Sequence, residues 1–195
     1  SGQLGRVIYY QVGDRLYART TPGQMKDCRS ELQLYYRERM RKTATFYGVI
    51  RQTWLARIWQ MLGVAEHRSG YNLFLKANMR AFNGEGLLYD LVHFSAGNLF
   101  LPSEFRGYRE GDKVRLTWKN EDMVRGGRLA DELWCVVMTE DMKFRIITPE
   151  STGCIRQDEG AEIKLVEERE KKVHLYCFFG AVNRCDFSAN LHVVL

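Results

Sequence analysis

The sequence lacks any apolar stretch that could cross a lipid bilayer. Runs such as Val136-Val137-Met138 are far shorter than the ~20 apolar residues of a membrane-spanning helix. Residues 1–6 also lack the basic and apolar regions of a secretory leader. Both absences favour a cytoplasmic protein with no membrane span, and a leader removed during maturation stays open as an alternative.

The sequence also lacks the short motifs that place catalytic groups. No serine lies in a Gly-x-Ser-x-Gly turn, and Gly126-Gly127 is not followed by the Gly-Lys-Ser/Thr of a phosphate-binding loop. The histidines, none of which has a motif context, are His67, His93, His174 and His192. We therefore expect no enzymatic activity and no cofactor. An enzyme whose site is assembled from scattered residues is the least favoured alternative.

Cysteine shows no pairing pattern and no strong metal motif. The five cysteines are odd in number and form no Cys-x-x-Cys pair, which predicts reduced structural thiols, although oxidised pairs stay open: Cys28, Cys135, Cys154, Cys177 and Cys185. The nearest approach to a zinc site is His174-x-x-Cys177, with Cys185 and His192 downstream. Residues three apart on a strand point to opposite faces, so a core Cys177 without metal is favoured.

The composition is that of a globular protein with an uneven charge. Of 195 residues, 45% are hydrophobic and 27% are charged, which argues against disorder. Residues 1–80 carry 14 Lys and Arg against 5 Asp and Glu, whereas the rest of the chain carries 15 against 19. This split indicates that the basic half meets an acidic partner or the chain's own acidic half.

The first residues predict a β-hairpin. Arg6–Val12 and Arg15–Thr20 are rich in β-branched and aromatic residues, as strands are. Gly13-Asp14 separates them and suits a type II′ turn, because the first central position of that turn needs a positive φ. A lone hairpin is marginal in water, so this one must pack on something or pair with another chain.

Two helices are predicted after the hairpin. Ser30 and Gln33 have the spacing of a capping box, in which each residue bonds the backbone of the other. An apolar stripe at three- and four-residue intervals then continues to about Gly63, with a bend expected at Gly48. A second helix is predicted over residues 69–79.

The second half of the chain predicts a β-sandwich. Apolar residues alternate after residues 83–86, in the segments 87–94, 99–101, 114–118, 133–137, 144–147, 163–165, 173–179 and 191–193. About seven such strands predict an antiparallel sandwich, fibronectin type III-like rather than Ig-like because the Cys, Trp and Cys pattern is missing. The predicted fold class is α+β, with a basic hairpin-helix region (1–83) and a β-sandwich domain (84–195).

Several short segments have a distinctive order along the chain. They are Leu4–Tyr10, Arg19–Pro22, Ser30-x-x-Gln33-x-x-x-Arg37, Phe74–Asn78, Val114–Trp118 and Val173–Tyr176. This order resembles an uncharacterised domain-of-unknown-function family that is common in Bacteroidetes. The resemblance covers nearly the whole chain and implies an N-terminal hairpin, capped helices and a C-terminal Ig- or fibronectin-like sandwich. The family carries no established activity, so the resemblance implies none here.

Nucleic-acid binding is one role that the basic half predicts. Arginines contact phosphates and tyrosines stack on bases, which is the chemistry of sequence-tolerant binding. The candidate contacts, to phosphate or to a protein partner, are Arg6, Arg15, Arg19, Arg37, Arg39, Arg41, Arg51, Tyr9 and Tyr10. A solvated helix face with packed tyrosines would have the same composition.

Assembly with a second copy or another protein is the favoured role. Several aromatic residues exceed what one helical stripe and a two-stranded hairpin need to bury, and aromatics are enriched at interfaces. They are Tyr9, Tyr10, Phe46, Trp54 and Trp59. The alternative is that they dock on the chain's own sandwich. We therefore predict a non-enzymatic binding or assembly protein, with nucleic-acid binding second.

Overall fold

The structure is a computed structural model that describes residues 2–12, 14–23, 29–120, 128–165 and 172–195. The chain divides into two compact units, Ser1–Leu34 and Tyr35–Leu195, and each is described by itself. The described ranges contain four α-helices and three antiparallel sheets, which makes the fold class α+β. No helix in these ranges is long and apolar enough to span a membrane.

The first unit contains a three-stranded antiparallel sheet. Strands β1 (Gly2–Leu4), β2 (Val7–Val12) and β3 (Arg15–Thr20) lie in that order. The predicted hairpin of β2 and β3 is confirmed, and β1 is an additional strand that pairs with β2. The proposed turn residue Gly13 lies outside the described residues.

Helix α1 (Glu31–Ile50) begins where the capping spacing predicts, because the Gln33 backbone N–H donates to Ser30 Oγ at 3.3 Å. The prediction of one helix to about Gly63 is wrong: the chain breaks and resumes as α2 (Leu55–Ala65). Thr53 accounts for the break. Its hydroxyl donates to the carbonyl of Ile50 at 2.8 Å and accepts from the Leu55 N–H at 3.3 Å, which satisfies backbone groups at both helix ends.

Helix α3 (Gly70–Asn78) lies within the range predicted for the second helix, and it comes very close to α2. A Cβ added at Gly70 would lie 2.4 Å from the carbonyl oxygen of Trp59. A Cβ added at Gly63 would lie 2.7 Å from the backbone oxygen of Arg68. Only glycine leaves room for backbone at this distance.

Among the described residues, seven strands follow helices α1 to α3 and form two sheets. They are β4 (Ser103–Glu110), β5 (Lys113–Lys119), β6 (Glu132–Thr139), β7 (Phe144–Ile147), β8 (Gly160–Lys164), β9 (Val173–Gly180) and β10 (Leu191–Val194), with a short helix α4 (Pro149–Thr152) after β7. One sheet has the order β10-β9-β6-β7 and the other has β4-β5-β8. Six of the predicted segments correspond to β5 to β10.

The four-stranded sheet is buried on both faces. Cys135 and Cys177 belong to a core that includes the inner residues of β5 and β8. Trp134, Val136 and Tyr176 alternate with them and belong to a second core, with residues of α1, α2 and α3. The second unit therefore has three layers: helices, the four-stranded sheet and the three-stranded sheet. A domain boundary between residues 83 and 84 stays a prediction.

The predicted strand over residues 87–94 is wrong, since this segment contains a 3-10 turn and irregular backbone. Two asparagine side chains, instead of a neighbouring strand, make hydrogen bonds to the backbone of this segment. Asn78 bonds both backbone groups of His93, at 2.8 and 3.0 Å. Asn190 accepts from the Phe94 N–H at 2.8 Å and donates to the carbonyl of Val92 at 3.1 Å. The buried side chains of this segment are thus kept in the core without a strand, because side-chain amides satisfy its backbone. The alternation of apolar residues alone cannot distinguish this arrangement from a strand.

The predicted strand over residues 99–101 is also wrong, apart from one isolated bridge between Leu99 and Ser188. Strand β4 follows it and was not predicted, because its sequence is largely polar and contains Gly107. The side chains of β4 alternate between half-buried and exposed, as on an edge strand. At Gly107 an added Cβ would lie 2.9 Å from the Val193 side chain, so β10 comes close to this strand here.

An ion pair is buried in the second unit. Arg156 Nε and Asp131 Oδ2 lie 3.5 Å apart, and their side chains are 2% and 1% exposed. Arg156 also donates to the carbonyl of Phe100 at 2.5 Å, and its guanidinium lies 4.4 Å from the ring centre of Phe179. Burial lowers the pKa of Arg156 and the Asp131 charge opposes that shift. The pair therefore joins four segments that are distant in sequence.

Candidate interaction surface

Among the strand residues of the N-terminal sheet whose side chains the structure describes, none is buried. Val7 and Ile8 are half-buried and the rest of that set is exposed, including Leu4 at 75% and Leu16 at 72%. A small sheet is stable in water only when an apolar face packs against something. Within the described part of the first unit, the apolar side chains of this sheet have nothing of their own unit packed on them.

One face of the sheet is apolar. The strand register places Leu4 opposite Val7, Tyr9 opposite Ala18, and Leu16 opposite Gln11. We call this side the apolar face; its described residues are Gly2, Leu4, Val7, Tyr9, Gln11, Leu16, Ala18 and Thr20. None of these residues carries a charge. Tyr9, a predicted contact residue, lies here.

The opposite face carries the arginines. We call it the basic face; its described residues include Gln3, Ile8, Tyr10, Arg15, Tyr17 and Arg19. The rings of Tyr10 and Tyr17 stack across the strands with centroids 5.6 Å apart. The guanidinium carbon of Arg19 lies 5.9 Å from the Tyr10 ring centre, within the range of a cation–π contact. The structure thus brings together Tyr10, Arg15 and Arg19, and Arg6 is exposed in the turn after β1.

The arginines of α1 have different environments. Arg39 is half-buried and donates twice to the carbonyl of Met79, at 3.0 and 2.6 Å, where α3 ends. Arg41 is paired with Glu38 at 2.5 Å. Arg37 and Arg51 are exposed. Arg39 therefore bonds the backbone at the end of α3, and Arg41 forms an ion pair with Glu38.

The prediction that five aromatic residues exceed what the chain can pack internally is wrong for three of them. Phe46 and Trp59 are buried, and Trp59 Nε1 donates to the carbonyl of Phe94 at 3.1 Å. Trp54 stacks on Trp134 of β6 with ring centres 4.6 Å apart. These side chains dock on the chain's own sheet, which was the alternative interpretation. Tyr9 and Tyr10 remain exposed.

The two histidines of the segment that was weighed as a zinc site, His174 and His192, contact each other. His174 Nδ1 and His192 Nε2 lie 2.9 Å apart, and the His174 ring stacks on Tyr89 at 3.9 Å. Cys177 lies in the other core, so the prediction that it faces away from His174 is confirmed. Among the described residues, no three His, Cys, Asp or Glu side chains are grouped as metal ligands are.

Acid should weaken the fold through this pair. Burial, together with His192 and Lys172, lowers the pKa of His174 to about 4, and Glu140 and Asp90 only partly oppose this; burial also lowers the pKa of His192. Because the folded-state pKa lies below the ordinary 6.5, the unfolded chain takes up the proton first, and stability falls as pH decreases from about 6.5. We expect a loss of about 2 kcal/mol in the free energy of unfolding between pH 7.5 and 5.

Urea unfolding across this pH range measures the effect. His174→Gln should flatten the dependence, whereas His67→Asn, at an exposed turn position, should leave it unchanged. Equal slopes in the wild type and His174→Gln would contradict the assignment.

The apolar face was not predicted from the sequence. Val7 and Tyr9, like Leu16 and Ala18, stand two residues apart and therefore share a face of the hairpin, which the sequence does show. Strand β1, which adds Leu4 to that face, was not predicted. Comparison of the chain with protein-family models and with curated proteins finds no match.

Proposed function

We propose that this chain is a non-catalytic assembly protein that binds a second copy of itself through the apolar face of its N-terminal sheet. One observation carries the proposal: Leu4 and Leu16 are about three-quarters exposed on a face that has no charged residue. Exposed apolar patches of this kind mark interaction sites in soluble proteins.

The distribution of charge favours a second copy as the partner. Two apolar faces can meet around a two-fold axis without bringing like charges together, since each is uncharged and the same patch serves both sides. Two basic faces could not, because Arg15 and Arg19 would oppose their own copies. Sheets pack face to face at about 10 Å, a spacing that Leu and Tyr side chains fill.

Sequence-tolerant nucleic-acid binding is the second candidate. The stacked Tyr10 and Tyr17, with the Arg19 guanidinium above Tyr10, favour it because bases stack on such a platform while arginine meets phosphate. Arg39 and Arg41 support it less, since both already contact other groups. Salt-sensitive binding of labelled single-stranded RNA or DNA, lost when Arg15 and Arg19 are changed to Glu, would favour this candidate.

We also propose that β4 to β10 form a fibronectin type III-like sandwich. The strand order supports this: the fourth strand, β7, lies beside β6 rather than in the sheet of β4, β5 and β8. In constant-type Ig domains the fourth strand lies in the sheet of the first, second and fifth. Such sandwiches serve many purposes, so the architecture is compatible with assembly and does not imply it.

A charge placed on the apolar face should break the dimer. Each buried leucine contributes about 1.5–3 kcal/mol, and Leu16 occurs twice across a two-fold interface. Leu16→Asp should therefore weaken self-association at least about a hundredfold. Sedimentation equilibrium over the micromolar range measures this.

The matched control lies next to it on the other face. Tyr17→Asp introduces the same charge into β3 and should leave the dissociation constant nearly unchanged. A wild-type protein that is monomeric throughout the range, or equal effects of the two variants, would contradict the proposal.

A further inference from the structure

The second unit contains an open cavity of about 550 Å³ beside helix α1. Its apolar walls include Phe46 and Val49 of α1, Phe82 and Leu87 of the turn after α3, and Met142 of the loop between β6 and β7. Phe46 and Phe82 are buried and form the bottom of the cavity. A cavity of about 300–1,000 Å³ with apolar walls and a few polar groups is typical of small-molecule sites.

Three charged side chains of α1 line the same cavity. Arg41 and Lys42 are cations and Glu38 is a carboxylate, so the local charge is positive. Glu38 lies 2.5 Å from an Arg41 nitrogen and 3.9 Å from Lys42 Nζ. Lys42 Nζ also donates to the carbonyl of Asn83 at 3.3 Å, which holds the ammonium near the turn. An anionic group is favoured here over a cationic one.

Met142 occupies an unusual backbone position. Its φ is 64°, in the left-handed region that glycine and asparagine prefer. The loop is closed by hydrogen bonds from Met142 N to Thr139 O and from Thr139 N to Lys143 O, both at 2.9 Å. The Met142 side chain lines the cavity, and methionine adapts well to flexible ligands.

We propose that this cavity binds a small amphipathic carboxylate, with its apolar chain against Phe46, Phe82 and Met142 and its carboxylate at Arg41 and Lys42. The apolar walls accept a methylene chain, and the net positive edge selects the anion. Glu38 limits the affinity because it competes with the ligand for the same two cations. This site lies wholly in the second unit and does not depend on the proposed dimer.

Titration of the full-length protein with decanoate at pH 7.5, followed by calorimetry or tryptophan fluorescence, tests the class of ligand. Shortening the chain from decanoate to hexanoate should weaken binding about fourfold for each methylene. Decanol, which has the same chain without the charge, should bind about tenfold more weakly. Absence of decanoate binding, or equal binding of decanol, would overturn the proposal.

Variants at the cavity edge test the residues. Glu38→Gln should strengthen decanoate binding, whereas Arg41→Gln with Lys42→Gln should weaken it about tenfold and leave decanol unaffected. Arg57→Gln is the matched control, because Arg57 is exposed on α2 and does not line the cavity. A Glu38→Gln variant that binds decanoate no better than the wild type would count against the site.

Met142→Gly separates binding from stability. It removes part of the wall and should weaken both decanoate and decanol, while the melting temperature should not fall, because glycine relieves the left-handed backbone. Weaker binding together with a lower melting temperature would mean that Met142 is a structural residue, and that outcome would overturn its role in the site.

Discussion

Asp131→Ala is expected to lower the free energy of unfolding by about 3–5 kcal/mol. The substitution leaves the Arg156 guanidinium buried without its counter-charge, and arginine stays protonated in proteins. It also removes the acceptor of the Arg128 N–H, which Asp131 Oδ2 binds at 2.8 Å. Urea unfolding at pH 7.5, with the slope checked against the wild type, measures the loss.

Two further variants show whether burial is the cause. Glu162→Ala breaks the exposed pair with Lys113, whose atoms lie 2.7 Å apart, and should cost far less stability than Asp131→Ala because water screens the two charges. Asp131→Leu combined with Arg156→Met removes both charges and should recover much of the loss. A double variant as unstable as Asp131→Ala would mean that the hydrogen bonds of the two residues, rather than the unpaired charge, dominate.

Gly70→Ala should destabilise the second unit by about 1–3 kcal/mol or more. The new methyl group would lie 2.4 Å from the carbonyl oxygen of Trp59, and backbone cannot move aside as a flexible side chain can. Helices α2 and α3 would have to separate, which loosens the buried Trp59 and Phe74. Thermal unfolding followed by circular dichroism detects the change.

Gly48→Ala is the matched control and should have the opposite sign. Gly48 lies inside α1 with nothing within 4 Å of an added Cβ, so alanine gains helix propensity without a clash. We expect a stabilisation of about 0.5–1 kcal/mol. Two alanine variants that destabilise equally would show that both glycines are constrained by features other than the distance between α2 and α3.

Local sequence patterns predicted most of the helices and strands. The elements that were predicted wrongly depend on hydrogen bonds of single side chains. The capping residues Ser30 and Gln33 and the alternation in β5, β6 and β9 were sufficient, because they reflect the backbone geometry directly. The break at Thr53 and the irregular segment around His93 were not predictable in this way. They depend on where one hydroxyl or amide finds its partners, which is tertiary information.

The candidate surface was predicted in part. Residue types identified the hairpin tyrosines and arginines, but not that Tyr9 and Tyr10 lie on opposite faces with different chemistry, because that follows from strand register. The surplus of aromatics was misjudged for Trp54 and Phe46. Their partners Trp134 and Phe144 occur about 80–100 residues later in the chain, and composition cannot reveal such pairing.

The middle sheet has a consequence for synthesis of the chain. The helices are made first, but the strands that cover their apolar stripe, β6 and β9, end only at Thr139 and Gly180. At a translation rate of about 5–20 residues per second, Tyr176 is synthesised on the order of ten seconds after Phe46 and Trp59. During that interval the nascent helices expose an apolar surface of the kind that chaperones bind, and we expect the helices to gain their final packing only after β9 has been made.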